Sequence, residues 1–148
     1  MRRGFWFLIA IMTLTVGVGC APQPSQKAGQ VVLFDGMINV FDDGIYHRGS
    51  RIGSIQATET GPGNVTRVQI AISPEFAPSM GDHVAFYVDG GHLEAVLLQP
   101  FGAPLAPSAP LCGFGSKVDF NWFKFKTLLN DRVGAARQRA LMLQTRMG

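Results

Sequence analysis

The chain has no basis for a disulfide framework. It holds only two cysteines in 148 residues, one closing an apolar leader and one alone in the body. Without an intramolecular partner, Cys112 is either a buried inert thiol or half of an intermolecular bridge. Catalytic groups are equally sparse. No Gly-x-Ser-x-Gly elbow occurs, and Gly113-Phe114-Gly115-Ser116-Lys117 lacks the spacing of a phosphate loop. The three histidines are scattered. His83 and His92, nine residues apart across an expected hairpin, could approach each other with Asp82 or Asp89 as further metal ligands. Near strand ends such residues are more often solvated turn neighbours. Asp42-Asp43-Gly44 reads as a capped turn rather than an acid–base pair. These gaps point away from catalysis, so the chain reads as a non-enzyme with no cofactor and no metal. Strong charge of one sign is missing too. The formal charge is +3, and Arg2 and Arg3 supply two of those units. The remainder is close to neutral, which argues against a nucleic-acid partner.

What is present begins with the leader. Met1-Arg2-Arg3 is basic, Gly4 to Gly19 is almost wholly apolar, and the run closes on Gly17-Val18-Gly19-Cys20. Basic, apolar and small-residue zones in that order are those of a secretory signal. The cysteine directly after the small residue resembles a bacterial lipoprotein lipobox. That resemblance implies a signal peptide over residues 1–19, with Cys20 as the acylated new terminus and a membrane as the first partner. The alternative is an uncleaved anchor helix, somewhat short for a span of ~20 residues. Ala21 after the cysteine resembles the sorting rule for the outer membrane. Either way the body is expected outside the cytoplasm, on the periplasmic side of the envelope.

Residues 20–30 read as a flexible tether of Ala, Pro, Gln, Ser, Lys and Gly. Residues 31–98 read as short strands cut by turn residues. Val31–Phe34, Met37–Phe41, Ile45–His47, Arg51–Thr58, Val65–Ile72, His83–Asp89 and Leu93–Leu98 are the expected strands. Val68, Ile70 and Ile72 alternate with polar neighbours, as do Val84, Phe86 and Val88 with Ala85 and Tyr87. This spacing predicts a mainly β domain, a small barrel or sandwich. Residues 99–118, with prolines at 100, 104, 107 and 110, read as a linker, because proline removes the N–H a sheet needs. Residues 119–148 change period. Trp122, Phe125, Leu129, Val133, Ala136, Ala140, Leu143 and Met147 form one helical stripe. The spacing predicts a single amphipathic helix, with Ser116 or Asp119 as its cap. The stripe then docks on the barrel or bundles with copies of itself; the bundling face is expected. Charge divides at the same place. Residues 21–116 carry four bases against eight acids, and residues 117–148 carry seven bases against two. A basic tail on an acidic body suggests self-docking, or contact with anionic lipid head groups.

One stretch is more specific. Ile45-Tyr46-His47-Arg48-Gly49-Ser50-Arg51-Ile52-Gly53-Ser54-Ile55 resembles the signature of the mammalian cell entry (MCE) domain of MlaD-type lipid-transport proteins. Gly49, Ile52, Gly53 and Ile55 fall in register. Gly49 and Gly53 would permit positive φ at a tight turn and a bulge, with Ile52 and Ile55 pointing inward. The resemblance implies a seven-stranded β-barrel followed by a helix. It further implies a homo-oligomeric ring, often a hexamer. An apolar channel through the ring carries phospholipid or another hydrophobic ligand, driven by an ABC-type permease and ATPase. In the family a loop before the last strand supplies the pore. The matching residues are Asp89-Gly90-Gly91-His92-Leu93, of which Gly90, Gly91, His92 and Leu93 are the candidate pore residues.

Overall fold

A computed structural model describes residues 29–100, 102–104, 109–127 and 131–148. The leader, Cys20 and the tether up to residue 28 lie outside the described residues, as does Leu129.

Seven strands close into a barrel: β1 (Gln30–Asp35), β2 (Gly44–His47), β3 (Ser50–Gly61), β4 (Val65–Ile72), β5 (Val84–Asp89), β6 (His92–Leu97) and β7 (Leu111–Phe114). Their order around the barrel is β1-β4-β3-β2-β6-β5-β7. Hairpins β2–β3, β3–β4 and β5–β6 are antiparallel, and β7 lies parallel to both β1 and β5. Two helices follow, α1 (Lys117–Lys126) and α2 (Arg132–Met147).

The expected count of seven strands holds, but one member differs. Residues 37–41 form no strand; they are the loop between β1 and β2. The seventh strand is Leu111–Phe114, inside the expected linker. The prolines at 100, 104 and 110 all precede β7, so its own N–H groups remain free to pair with both neighbours.

Inside, the alternation read from sequence is obeyed. Val32 and Phe34 of β1, Val68 and Ile70 of β4, Val84 and Phe86 of β5, and Leu93 of β6 fill the barrel with Ile45 and Ile52. All nine are essentially inaccessible to solvent, so the barrel interior is a packed core. At ~25 cal/mol per Å², each such side chain contributes about 1.5–3 kcal/mol on burial.

The opposite faces of β1, β5 and β7 are apolar as well, and the helices cover them. Ala85, Cys112 and Phe114 pack with Phe120 of α1 and with Val133, Ala136 and Ala140 of α2. Leu33 and Val65 pack with Leu143. Ser116 caps α1, accepting from the Asp119 N–H at 3.1 Å.

The single helix expected over 119–147 is broken. Thr127 ends α1, its N–H and hydroxyl both donating to the Phe123 carbonyl, at 3.0 and 2.8 Å. Asp131 starts α2 by accepting from the Val133 N–H at 3.1 Å. The break resets the helical phase. Trp122 and Phe125 therefore lie on the outside of α1, while Val133, Ala136, Ala140 and Leu143 lie on the inside of α2. The expected bundling face is thus divided, and its α2 half is covered by the chain's own barrel. Ala136 and Ala140 are small because α2 lies directly over β7, not because copies of the helix meet there.

The charge division is resolved partly by this docking. Arg146 pairs with Asp35 at 3.0 Å, Arg139 with the same carboxylate at 3.9 Å, and Lys117 with Asp89 at 3.0 Å. Arg137 pairs with Asp82. Each exposed pair of this kind contributes about 0–1 kcal/mol. Their common effect is to fix where the helices sit.

Candidate functional site

The β2–β3 hairpin is the best-defined local structure that the sequence pointed to. Its two-residue turn is Arg48-Gly49, with φ of 52° and 80°. Positive φ at both positions is the turn that matches strand twist, and glycine tolerates it without strain. Two steps into β3 the register slips. Ile45 faces Gly53 and Tyr46 faces Arg51, so Ile52 is the extra residue of a bulge. Gly53 has no positive φ. Its role is closeness: a Cβ there would run into the Ala71 carbonyl and come within 3.1 Å of Ile72. Gly53 and Ile55 face Ile72 and Ile70 of β4, so the Ile-Gly-x-Ile run turns Ile52, Gly53 and Ile55 toward the core. A second slip at Gln56 bends β3 again.

The candidate pore residues take a different form. Gly90 and Gly91, with φ of 58° and 86°, are a two-residue turn between β5 and β6. Leu93 is wholly buried in the barrel core. It faces inward because its β5 partner is Val88, on the core-facing side. His92 is half-buried and meets the Tyr46 ring edge-on, centroids 5.1 Å apart, with Nε2 3.8 Å from Glu94. This loop therefore presents no apolar side chain. The exposed apolar group at this turn comes from the loop after β1: Phe41, at 81 % exposure, while Met37, 80 % exposed, opens the same loop beside the start of β4. Phe41 is tied to the turn, its N–H donating to the Gly91 carbonyl at 2.7 Å. A Cβ on Gly91 would meet the Phe41 ring at 2.5 Å, so glycine there makes room for the aromatic. The strand expected over residues 37–41 conceals this rim in the sequence.

Beside it, Asp42 holds the loop. It accepts from the Tyr46 hydroxyl at 2.7 Å and the Gly44 N–H at 2.9 Å. The tyrosine hydrogen bond, then the Gly44 N–H, keep its carboxyl below the usual range, and the same bond raises the Tyr46 hydroxyl.

His83 and His92 stand at opposite ends of the β5–β6 hairpin, since His83 precedes β5 and His92 opens β6. They do not meet. Among the described residues no three His, Cys, Asp or Glu side chains converge as metal ligands. Cys112 is buried beneath α2, and loss of solvation pushes its thiol up to about 12. At neutral pH it is a protonated, covered thiol.

Two further features remain, the first without a sequence signal and the second on the α1 half of the expected stripe. One is a groove of about 490 Å³ between α2, the start of β5 and the segment entering β7. Its walls include Pro104, Pro110, Ala136 and Leu141, and the Asp82–Arg137 pair stands at its rim. That is within the ~300–1,000 Å³ range of small-molecule sites. The other is the outer face of α1, where Val118, Trp122 and Phe125 are 75, 57 and 65 % exposed. Trp122 and Phe125 stack at 5.8 Å, and Lys126 Nζ lies 4.9 Å over the Trp122 ring.

No protein-family model matches the chain, and no curated protein matches it.

Proposed function

We propose that the chain is a membrane-anchored lipoprotein of the MCE type. In this reading it is a non-catalytic subunit that binds or conducts phospholipid, or another hydrophobic ligand, between membranes. Cys20 carries the anchor, on the periplasmic side and by preference in the outer membrane. Copies assemble into a ring, six being the family habit, and an ABC-type permease and ATPase supply the work. The observation that carries the reading is the Ile45–Ile55 hairpin. Its Gly49 turn and its Ile52–Gly53 bulge sit inside a closed seven-stranded barrel followed by helices. Support comes also from the apolar groove beside α2.

The packed barrel interior constrains the mechanism. A conduit cannot pass through the barrel, so it must run between copies. With Leu93 committed to the core, Phe41 is the exposed apolar group at the β5–β6 turn available to line it. The decisive experiment is extraction of lipid from the purified protein followed by mass spectrometry, with light scattering on the same sample. Stoichiometric lipid and a closed oligomer are expected, and Phe41→Asp should lower the lipid bound. A strict monomer free of lipid would overturn the reading.

One observation favours a second reading. The glycine turn at 90–91 offers nothing apolar to a pore. A structural or adaptor lipoprotein, whose barrel docks a partner without carrying lipid, would show that strict monomer.

A further inference from the structure

The tail's positive charge is not all used in docking to the barrel. Lys117, Arg137, Arg139 and Arg146 each have an acidic partner. Lys124 and Lys126 have none among the described ion pairs. Both lie over aromatic rings of α1, Lys124 over Phe120 at 4.7 Å and Lys126 over Trp122 at 4.9 Å. Of the two, Lys126 lies over the outward Trp122 ring, while Lys124 lies over Phe120 on the side of α1 that packs on the barrel. α1 is held in place independently of its outward face, because Phe120 stacks on Tyr87 at 5.0 Å and Phe123 meets Phe114 at 4.9 Å.

We infer that the outer face of α1, formed by Val118, Trp122 and Phe125 with Lys126 at its margin, is a docking surface for an anionic lipid bilayer. Tryptophan and phenylalanine beside lysine is the composition of an interfacial helix: the rings enter the acyl boundary and the ammonium groups meet the head groups. The length of the chain permits the contact. Gln30 lies ten positions after Cys20. Extended, that stretch reaches ~35 Å. A barrel strand of six to eight residues spans only ~20–27 Å. The inference goes beyond lipid conduction, since it concerns how the body is held against a membrane and not what it carries.

The test uses the full chain. Trp6 and Trp122 are the two tryptophans, so Trp6→Phe leaves Trp122 as the reporter. The protein is reconstituted into vesicles of equal phosphatidylcholine and phosphatidylglycerol with brominated acyl chains. Trp122 emission should shift to the blue and be quenched by bromine. Lys126→Gln should weaken docking about fivefold and Lys124→Gln less, and high salt should release it. Both lysines are outside the core, so circular dichroism should confirm an intact fold in each variant. Water-like emission in the anionic vesicles would overturn the inference. So would equal quenching in phosphatidylcholine alone, or in the double lysine variant. A blue shift that grows with protein concentration without vesicles would assign the face to a second copy instead. Lipid co-purification is blind to this face, so the two readings fail separately.

Discussion

The two arcs of the barrel are built on different terms. Along β5, β7 and β1 both faces are apolar: Val84 and Phe86 inward, Ala85 and Tyr87 outward; Val32 and Phe34 inward, Leu33 outward. Helices cover the outer side. Along β4, β3 and β2 the inner face is the same core, but the outer face carries Arg67, Gln69 and Gln56 in water. The covered arc is a three-layer structure and the bare arc a two-layer one. Side chains on the outer face should therefore matter on one arc and hardly at all on the other. On the bare arc, stability should depend on the backbone bends that close the barrel.

The largest break in that contrast should come at Phe114. Its ring touches Phe120, Phe123 and the Arg139 guanidinium, so it holds both helices. Phe114→Ala should cost about 3–5 kcal/mol. Gln69→Ala, on the outer face of β4, should stay within about 0.5 kcal/mol. Urea unfolding followed by circular dichroism compares the two. Equal effects would mean that the helices are not integral to the fold.

The bare arc's weak point is Gly53. A methyl group there has only the Ala71 carbonyl and Ile72 to displace, and backbone yields little. Gly53→Ala should cost about 1–3 kcal/mol by overpacking. The measurement is again the urea midpoint, with Ser54→Ala as the neighbouring control. If Gly53→Ala is neutral, the bulge can shift and the hairpin is not a fixed point of the barrel.

A thiol sharpens the comparison from the covered side. Cys112 lies under α2 with its pKa pushed up to about 12 by burial, against an ordinary value near 9.0. Because the folded value is the higher, its contribution to stability is complete below about pH 8.5. It falls as pH rises toward the folded pKa, since the unfolded chain ionises first. Wild type should therefore lose stability on the alkaline side faster than Cys112→Ala, by up to ~1.4 kcal/mol per pH unit. At pH 8 the native thiol should resist maleimide until α2 opens. Rapid native labelling would show that α2 leaves the barrel readily.

Much of this architecture was legible in the residues, and what escaped has physical causes. Strict alternation in β4 and β5 gave both faces correctly, because those strands keep one register along their length. The sequence count reached seven by including 37–41, whose apolar residues look like a strand. They are held instead by the Asp42 turn, with Phe41 tied to Gly91. β7 was hidden among prolines and has four residues, too few to show a period. The continuous stripe through 122–147 failed because spacing alone cannot register a break that resets phase. Thr127 and Asp131, two side chains with cap-forming oxygens four positions apart, were the available sign. The glycine pair at 49 and 53 was identified, but only the first acts through its dihedral angle. The groove has no linear pattern; Trp122 and Phe125 of the outer α1 face were in the expected stripe, but which way they face depends on how the helix docks.

The smallest effect should come from a single hydrogen bond on the rim of the bare arc. Asp42 is held below the usual carboxylate range, chiefly by the Tyr46 hydroxyl and next by the Gly44 N–H, and Tyr46 is raised in turn. The signs are opposite. Asp42 has the lower pKa when folded, so its contribution is present above about pH 4 and is lost as pH falls through the folded value. Tyr46 has the higher pKa when folded, so its contribution is present below about pH 10 and is lost as pH rises. One bond thus adds a shallow limb at each end of the stability profile. Both groups are open to solvent, so both limbs should be slight. Tyr46→Phe should flatten the two together, and Asp42→Asn should do the same. Melting temperatures of wild type and the two variants across pH 3–11 provide the measurement. If Tyr46→Phe alters one limb alone, the hydrogen bond is not the shared cause, and the 37–43 loop is fixed by Phe41 and Gly91 instead.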